Sequence, residues 1–489
     1  MKKYPTLLSV IILIGTFSIG FAQTKTNSLG GHSLLKNSEV DAAIKVLDSW
    51  ILATMKSREQ PGLSIGIVYD QDLIWAKGYG FADLAKQLPP RPSTIYRIAS
   101  ISKLFTSTAI MQLRDAAKLQ LDNPIAKHLS WFKIKNAYPT GPTITIRHLL
   151  THTSGLPREA QGVSWNELTF PTRQEMIQWL PDQKAVLPAE TEWKYSNLAL
   201  SLAGEIVTVV SGKSWAQYIE SHILKPLGMT NTSALPEPNM PGLAIGYGRR
   251  VPGQPRDVEP FVDIKALRPA GNMASSVEDL AKFVSLQLRE GLASGKQILK
   301  EATLHEMHRV HWLRPDWQSG WGIGFAIRRV DDQVRVGHGG SLPGHRTLLE
   351  FAPDIKLGII VLTNANDGNP GLYLNKAFEI VGPAITQATS PPKVASVPEP
   401  EFNKYVGTYT WKHSDIQILI LNGELTMIDP ESHNPWESRI ILELFEQHTF
   451  RARPIRWSYW ANGELLTFEL DESGRVKSLG TQNFYWVRK

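Results

Sequence analysis

Hydrophobic positions along the chain alternate between helical and extended periods, and the order of the two periods suggests an architecture. A helical period runs through residues 40–55, and residues 62–80 read as two β-rich runs around the turn Asp70-Gln71-Asp72, a hairpin. Helical spacing returns over 100–119, with Leu104, Met111 and Leu113 among its apolar positions. Further helices are predicted over 197–210, stopped by Gly212, over 215–224, followed by Pro226, and over 277–288. Strand-like runs then follow at 333–336, 346–351 and 357–362. A hairpin first, helices in the middle and strands at the end suit an α+β fold. In it an antiparallel sheet is built from both ends of the region, flanked by helices, with a helical lobe inserted.

The pattern changes after residue 387. Residues 388–401 are rich in Pro, Ala and Ser and read as a linker. Beyond them, short alternating runs at 406–409, 416–420, 424–428, 464–470 and 484–487 are separated by turns such as Asn422-Gly423, Asn462-Gly463 and Ser473-Gly474. This predicts a small all-β barrel or sandwich over 402–489, beside a first domain over 40–387. At the other end, Lys2 and Lys3 precede an apolar run over 7–19 and the small residues Gly20 and Ala22. That is the form of a signal peptide over 1–22, cleaved before Gln23 and followed by a disordered lead-in over 23–39. An uncleaved anchor is the alternative, although the run is short for a bilayer. The expectation is an exported bacterial protein, in a periplasm or the medium, with no stable membrane span after cleavage.

Composition narrows the chemistry. The 489 residues are 42% hydrophobic and 20% charged, as in a folded globular protein, and the net charge of +6 is spread thinly. No Lys/Arg run is dense enough for a nucleic-acid groove. With no cysteine, disulfides, thiol nucleophiles and cysteine-bound zinc are excluded.

Three short constellations carry candidate chemistry. Ser100 and Lys103 stand three residues apart at the head of a predicted helix, hence on one face, where the lysine can take the serine proton if burial lowers its pKa. Taken alone the pair is also compatible with an ordinary first helical turn. Tyr195 and Asn197 precede a second helix; a phenol can relay a proton and an amide can orient a substrate carbonyl, or the two can simply pack and cap. His338-Gly339-Gly340-Ser341 lies between two strand-like runs, where paired glycines admit a substrate backbone and a free N–H can bind an oxyanion, or where the chain simply turns.

In this order the three resemble the serine β-lactamase and penicillin-binding family, in its variety with Tyr-x-Asn, that of class C β-lactamases, DD-peptidases and related esterases. The stretches 148–157 (HLLTHTSGLP) and 270–276 (AGNMASS), and Val361-Leu362-Thr363-Asn364, are similar to the same family. The resemblance covers about residues 40–385. It implies Ser100 as the acylated nucleophile, and Lys103 and Tyr195 sharing the proton transfers, with the base undecided between them. It further implies Asn197 as the orienting amide, and the N–H groups of Ser100 and Ser341 as the oxyanion hole, with Gly340 beside it. His338, counted with Ser100, Lys103 and Tyr195 among the catalytic residues, occupies the place where class C enzymes carry lysine, which lessens the positive field and weakens the case for an efficient β-lactamase. Arg346 is a candidate contact for a substrate carboxylate.

Other signals read as structural. Gly62-Leu63-Ser64-Ile65-Gly66 matches a nucleophile elbow, but the strand continues past it. His305, His308 and His311 lack the spacing of a zinc helix. His148 and His152 are expected to hold structure, and the tryptophans at 411, 436, 457, 460 and 486 to pack a β core rather than line a sugar or peptide groove. The reading is an exported serine hydrolase without cofactor or metal. It would act through an acyl-enzyme on a peptidoglycan-like D-amino-acid peptide, a β-lactam or an ester. Alternatives are a short-chain esterase on the same fold and a non-catalytic peptidoglycan-binding or receptor protein. By resemblance to barrel modules of D-aminopeptidase-like relatives, the C-terminal domain is expected to shape substrate access.

Overall fold

A computed structural model describes residues 34–389 and 400–489, apart from 136, 289–291, 294–295, 331–332, 413, 456–457, 459–460 and 482–483. The expected signal peptide, most of the lead-in and most of the linker lie outside the described residues. The chain divides into two compact units, Met1–Thr389 and Ser390–Lys489.

The first unit is organised around an antiparallel sheet. Its strands are β1 (Gly62–Tyr69), β2 (Asp72–Gly80), β3 (Trp312–Leu313), β4 (Ser319–Trp321), β5 (Ala326–Val330), β6 (Gln333–Leu342), β7 (His345–Ala352) and β8 (Leu357–Thr363). They lie in the order β2-β1-β8-β7-β6-β5-β4-β3. Strands from the two ends of the unit therefore meet at its centre, where Ile65 faces Val361 and Ile67 faces Ile359 across β1 and β8. Every residue of β1 and β8 is buried, as strands covered on both faces require.

One face is covered by helices α1 (Ser38–Arg58) and α5 (Pro370–Thr389), whose Leu47, Ile51, Tyr373 and Phe378 join Ile65, Ile67 and Val361 in one core. Helix α1 keeps Val40, Ile44, Leu47, Ile51 and Met55 buried at helical spacing, and the Asn37 side chain caps it by accepting from Glu39 N and Val40 N. Leu34, inside the span read as the lead-in, is fully buried. The other face carries the helical lobe, including α2 (Ser102–Asp115), α3 (Asn197–Ser211) and α4 (Val277–Leu288). Helix α4 seats directly on the sheet: a side chain at Gly66 would come within 2.4 Å of Val277 Cγ1.

Three local expectations need correction. The strand predicted to stop at residue 336 continues to Leu342, so the His338–Ser341 segment is strand, paired with β7, rather than a turn. Ser100 lies in a 3-10 turn, Ala99–Ile101, that leads into α2. The helix predicted over 215–224 is α-helical only through Trp215–Ile219 and then widens into a π-helical turn.

The second unit is a closed barrel of strands β9 (Gly407–Trp411), β10 (Ser414–Leu421), β11 (Glu424–Ile428), β12 (Ile440–Glu446), β13 (Thr449–Pro454), β14 (Leu465–Leu470), β15 (Val476–Gly480) and β16 (Tyr485–Arg488). Each pairs with the next, and β9 closes on β16 through Tyr409 and Arg488. Tyr405, Tyr409, Phe450, Phe468 and Trp486 fill its interior. Trp411 and Trp436 are exposed, so of the described tryptophans in this region only Trp486 belongs to the core; Trp457 and Trp460 lie outside the described residues.

Candidate active site

The segment that carries Ser100 is fixed from two sides. Ile98 N donates to Met273 O at 3.0 Å, and Met273 N donates to Ser102 Oγ at 3.0 Å. On the sheet side, Thr347 Oγ1 donates to Ile98 O at 3.1 Å. Between these anchors Ala99 adopts φ +49°, a left-handed conformation that a non-glycine residue holds only at a cost of about 1–3 kcal/mol. The strained residue immediately precedes the serine.

Lys103 is fully buried. Its Nζ lies 3.0 Å from Ser100 Oγ and donates to Ala270 O at 2.6 Å. Burial holds the amine well below the ordinary lysine range; the charge of Glu159 works against that shift and that of Arg158 adds to it. Tyr195 OH donates to Ser100 Oγ at 3.0 Å. Burial drives this phenol upward, so it remains protonated at rest. The serine oxygen thus stands between a neutral amine that can accept a proton and a phenol that can give one.

Tyr195 and Asn197 are placed by a buried histidine. Ser196 N donates to His152 Nδ1 at 3.2 Å, and Ser196 Oγ caps α3 by accepting from Ala199 N at 3.0 Å. His152 also packs its ring on Tyr195, 4.4 Å between centroids. Asn197 Nδ2 donates to Glu159 Oε1 at 2.8 Å, and the same oxygen accepts from Trp165 Nε1 at 3.1 Å.

A cleft of about 1120 Å³ opens over these groups. Ser100, Tyr195, Asn197, Gly340, Ser341 and Arg346 all line it. Gly340 is required by the protein itself, because a side chain there would approach Ile98 O to 2.1 Å; Gly339, whose nearest neighbour would stand at 3.5 Å, is not so constrained. Counted back from the two-residue Pro343-Gly344 turn, Ser341 opposite Arg346 falls at a pair that does not exchange ladder hydrogen bonds. Its N–H therefore faces away from β7. Strand β5 pairs with β6 only as far as Gly337, which leaves that edge open beside Ser341.

His338 does not line the cleft. It is buried beside Tyr195 and Trp321, with ring centroids 6.2 and 5.5 Å away, and no hydrogen bond joins it to Ser100, Lys103 or Tyr195 among the described residues. Its Nδ1 donates to Gly339 O at 2.5 Å, and burial, with Lys103 adding to it, lowers its pKa to about 3. It contributes a neutral ring, not a cation. Arg346 Nη1 donates to Leu342 O at 2.7 Å and His345 O at 2.9 Å, and no carboxylate stands within 4 Å of it among the described residues.

Residue spacing left Glu159, Arg158 and the Ala270 carbonyl unnoticed as parts of the site; the similar stretches at 148–157 and 270–276 were the nearest signal. The discounted motifs are structural. Ser64 is buried, 3.0 Å from Tyr96 OH. His308 pairs with Gln287, His311 with Glu306 O, and the exposed His305 lies 3.9 Å from Glu301, so the three imidazoles hold separate partners. No group of metal-binding side chains occurs among the described residues.

Residues 47–379 match the family model described as Beta-lactamase. Beta-lactamase-like protein 2 of Dictyostelium discoideum is 28% identical over 407 residues, covering 77% of this chain and 73% of its own. Protein flp of Staphylococcus aureus (strain N315) is 31% identical over 362 residues, covering 72% and 68% respectively. Among solved structures, the octameric penicillin-binding protein homologue from Pyrococcus abyssi aligns with a TM-score of 0.60 at 25% identity, over 91% of this chain and 100% of that one. Fold and relatives together define a hydrolase built on the penicillin-binding scaffold. The chain belongs to the Beta-lactamase family.

Proposed function

We propose that the protein is an exported serine hydrolase that forms an acyl-enzyme at Ser100 on an amide or ester substrate and then hydrolyses it. One observation carries the reading: Ser100 Oγ lies 3.0 Å from both Lys103 Nζ and Tyr195 OH in the floor of the large cleft. Neutral Lys103 takes the Oγ proton as the oxygen attacks the carbonyl carbon. The N–H groups of Ser100 and Ser341 receive the oxyanion. Tyr195 gives its proton to the departing amine or alcohol, and the phenolate that results exists only while Lys103 is an ammonium. In the second half, water gives a proton to Tyr195 and attacks the acyl carbon, and Ser100 leaves with the proton held by Lys103.

Three arginines, at 158, 249 and 346, line the cleft against a single carboxylate, Glu259. That balance favours an acyl donor with a carboxylate, as a D-amino-acid peptide or a β-lactam has, with Arg346 as its contact. A short-chain ester is the second reading, supported by the neutral ring of His338. Incubation with a penicillin followed by intact mass should give an adduct, or consumption of the drug, that Ser100→Ala abolishes. If neither occurs, a D-alanyl peptide and p-nitrophenyl acetate decide between the peptide and ester readings. Turnover of either that survived in Ser100→Ala would overturn the nucleophile assignment. Export is checked by sequencing the mature amino terminus, expected at Gln23.

A further inference from the structure

A second cavity, of about 70 Å³, lies behind the turn between β6 and β7, with Arg97, Phe261 and His345 in its wall. Arg97 is 3% exposed. Its Nη2 donates to Asn272 Oδ1 at 3.2 Å and its guanidinium lies 4.2 Å over the Phe261 ring, yet its Nε is buried without a partner. No carboxylate stands within 4 Å of it among the described residues. The nearby acid, Asp263, gives both oxygens to Arg268, at 2.9 and 2.6 Å, so two guanidiniums share one carboxylate. A buried charge that only shares a distant counter-charge is costly to maintain. In the same wall His345 is 5% exposed, and its Nδ1 is likewise buried and unpartnered. Glu259 also borders the cavity, but its Oε1 is engaged by the Asn366 amide.

We propose that this cavity binds a small monovalent anion of the halide class, held between the Arg97 guanidinium and an Nδ1–H of His345. The space exceeds what one water needs, so a halide fits. Its position gives it a role: Leu342 and Pro343 line both this cavity and the active cleft, and an anion here braces the turn that follows Ser341.

The test uses the full chain. Crystals grown in bromide should show an anomalous peak between Arg97 and His345. At constant ionic strength, 0.2 M chloride in place of gluconate should raise the melting temperature of the first unit by about 2 °C. Arg97→Met should abolish that rise; if it does not fold, His345→Phe serves the same purpose, and the bromide experiment needs no variant. Water density in place of bromide, or equal melting in chloride and gluconate, would overturn the proposal. So would a bromide peak without any effect on melting, which would mark an adventitious ion only.

Discussion

A lysine stripped of water is easier to keep neutral than charged, and Lys103 is held in that state against the hydroxyl it has to deprotonate. Activity should therefore fall at acid pH as Lys103 takes up a proton, and the position of that fall reports its neighbours. Glu159 is the charge that favours the ammonium form. Glu159→Gln keeps an acceptor for Asn197 and removes the charge, so the pKa of Lys103 should drop further. The acid limb of kcat/KM should then move to lower pH, with less than a tenfold change at the plateau. A limb that stays in place, or moves upward, would sever Glu159 from the lysine. Glu159→Ala should differ by also releasing Asn197 Nδ2, and should raise KM. The strained Ala99 tests the same site from the backbone side. Glycine there removes the left-handed penalty while loosening the serine, so Ala99→Gly should lower kcat several-fold without lowering the melting temperature. A lower melting temperature would show that the conformation carries no strain.

At the scale of elements, β6 does two jobs that its adjacent glycines separate. Gly340 lets the strand press against the backbone of Ile98, two residues before the nucleophile; a side chain at Gly339 would meet only ordinary contacts, the nearest at 3.5 Å. Gly340→Ala should push β6 off the Ser100 segment, destabilise the first unit by about 1–3 kcal/mol and cut turnover more than tenfold. Gly339→Ala should leave melting unchanged and affect only substrates that fill the cleft. Equal effects of the two on melting would refute this division. The same strand shows what the sequence conveys and what it withholds. Helix α4 was legible to its bounds because Val277, Leu280, Val284 and Leu288 repeat at helical spacing in a run with no competing signal. Strand β6 was cut short at residue 336 because His338-Gly339-Gly340-Ser341 has neither alternation nor β propensity; pairing with β7 keeps it extended. Ser100 and Lys103 could be read together because three residues of helix fix their relation locally. The tie from Glu159 to Asn197 and the carbonyl of Ala270 on Lys103 span 38 and 167 residues, and only the folded lobe brings them together.

For the whole molecule, independence of the two units and their response to acid are the properties that follow. The barrel closes on itself and has its own core of aromatic and aliphatic side chains, so residues 400–489 expressed alone should unfold in one cooperative transition; a non-cooperative melt would deny them that autonomy. Acid sensitivity belongs to the other unit. His338 and His345 are buried there and His308 half-buried, and desolvation lowers each to about 3, against about 6.5 for a free imidazole; the buried His152 is held well below that range too. Folded pKa values below the unfolded one mean that the unfolded chain takes up protons first as the pH falls. The stability these neutral rings permit is complete above pH 6.5 and is lost progressively down to about pH 3, by about 1.4 kcal/mol per pH unit for each ring. At pH 5 the loss is about 2 kcal/mol per histidine. Carboxylates held low by cationic partners, such as Asp263 and Asp367, act in the same direction but only below about pH 4. Between pH 6.5 and 4.5 the carboxylates therefore add little, and the buried imidazoles carry most of the decline, with Lys103 adding in the same direction while its amine stays neutral. The urea midpoint of the first unit, followed at pH 7.5, 6 and 5, should fall steeply in the wild type. In His308→Asn it should start lower at pH 7.5 but fall less steeply, because one of the proton sinks is gone. A midpoint independent of pH over this range would show that these histidines are solvated or charge-paired in the native protein. It would also remove the neutral ring of His338 from the argument for the esterase reading.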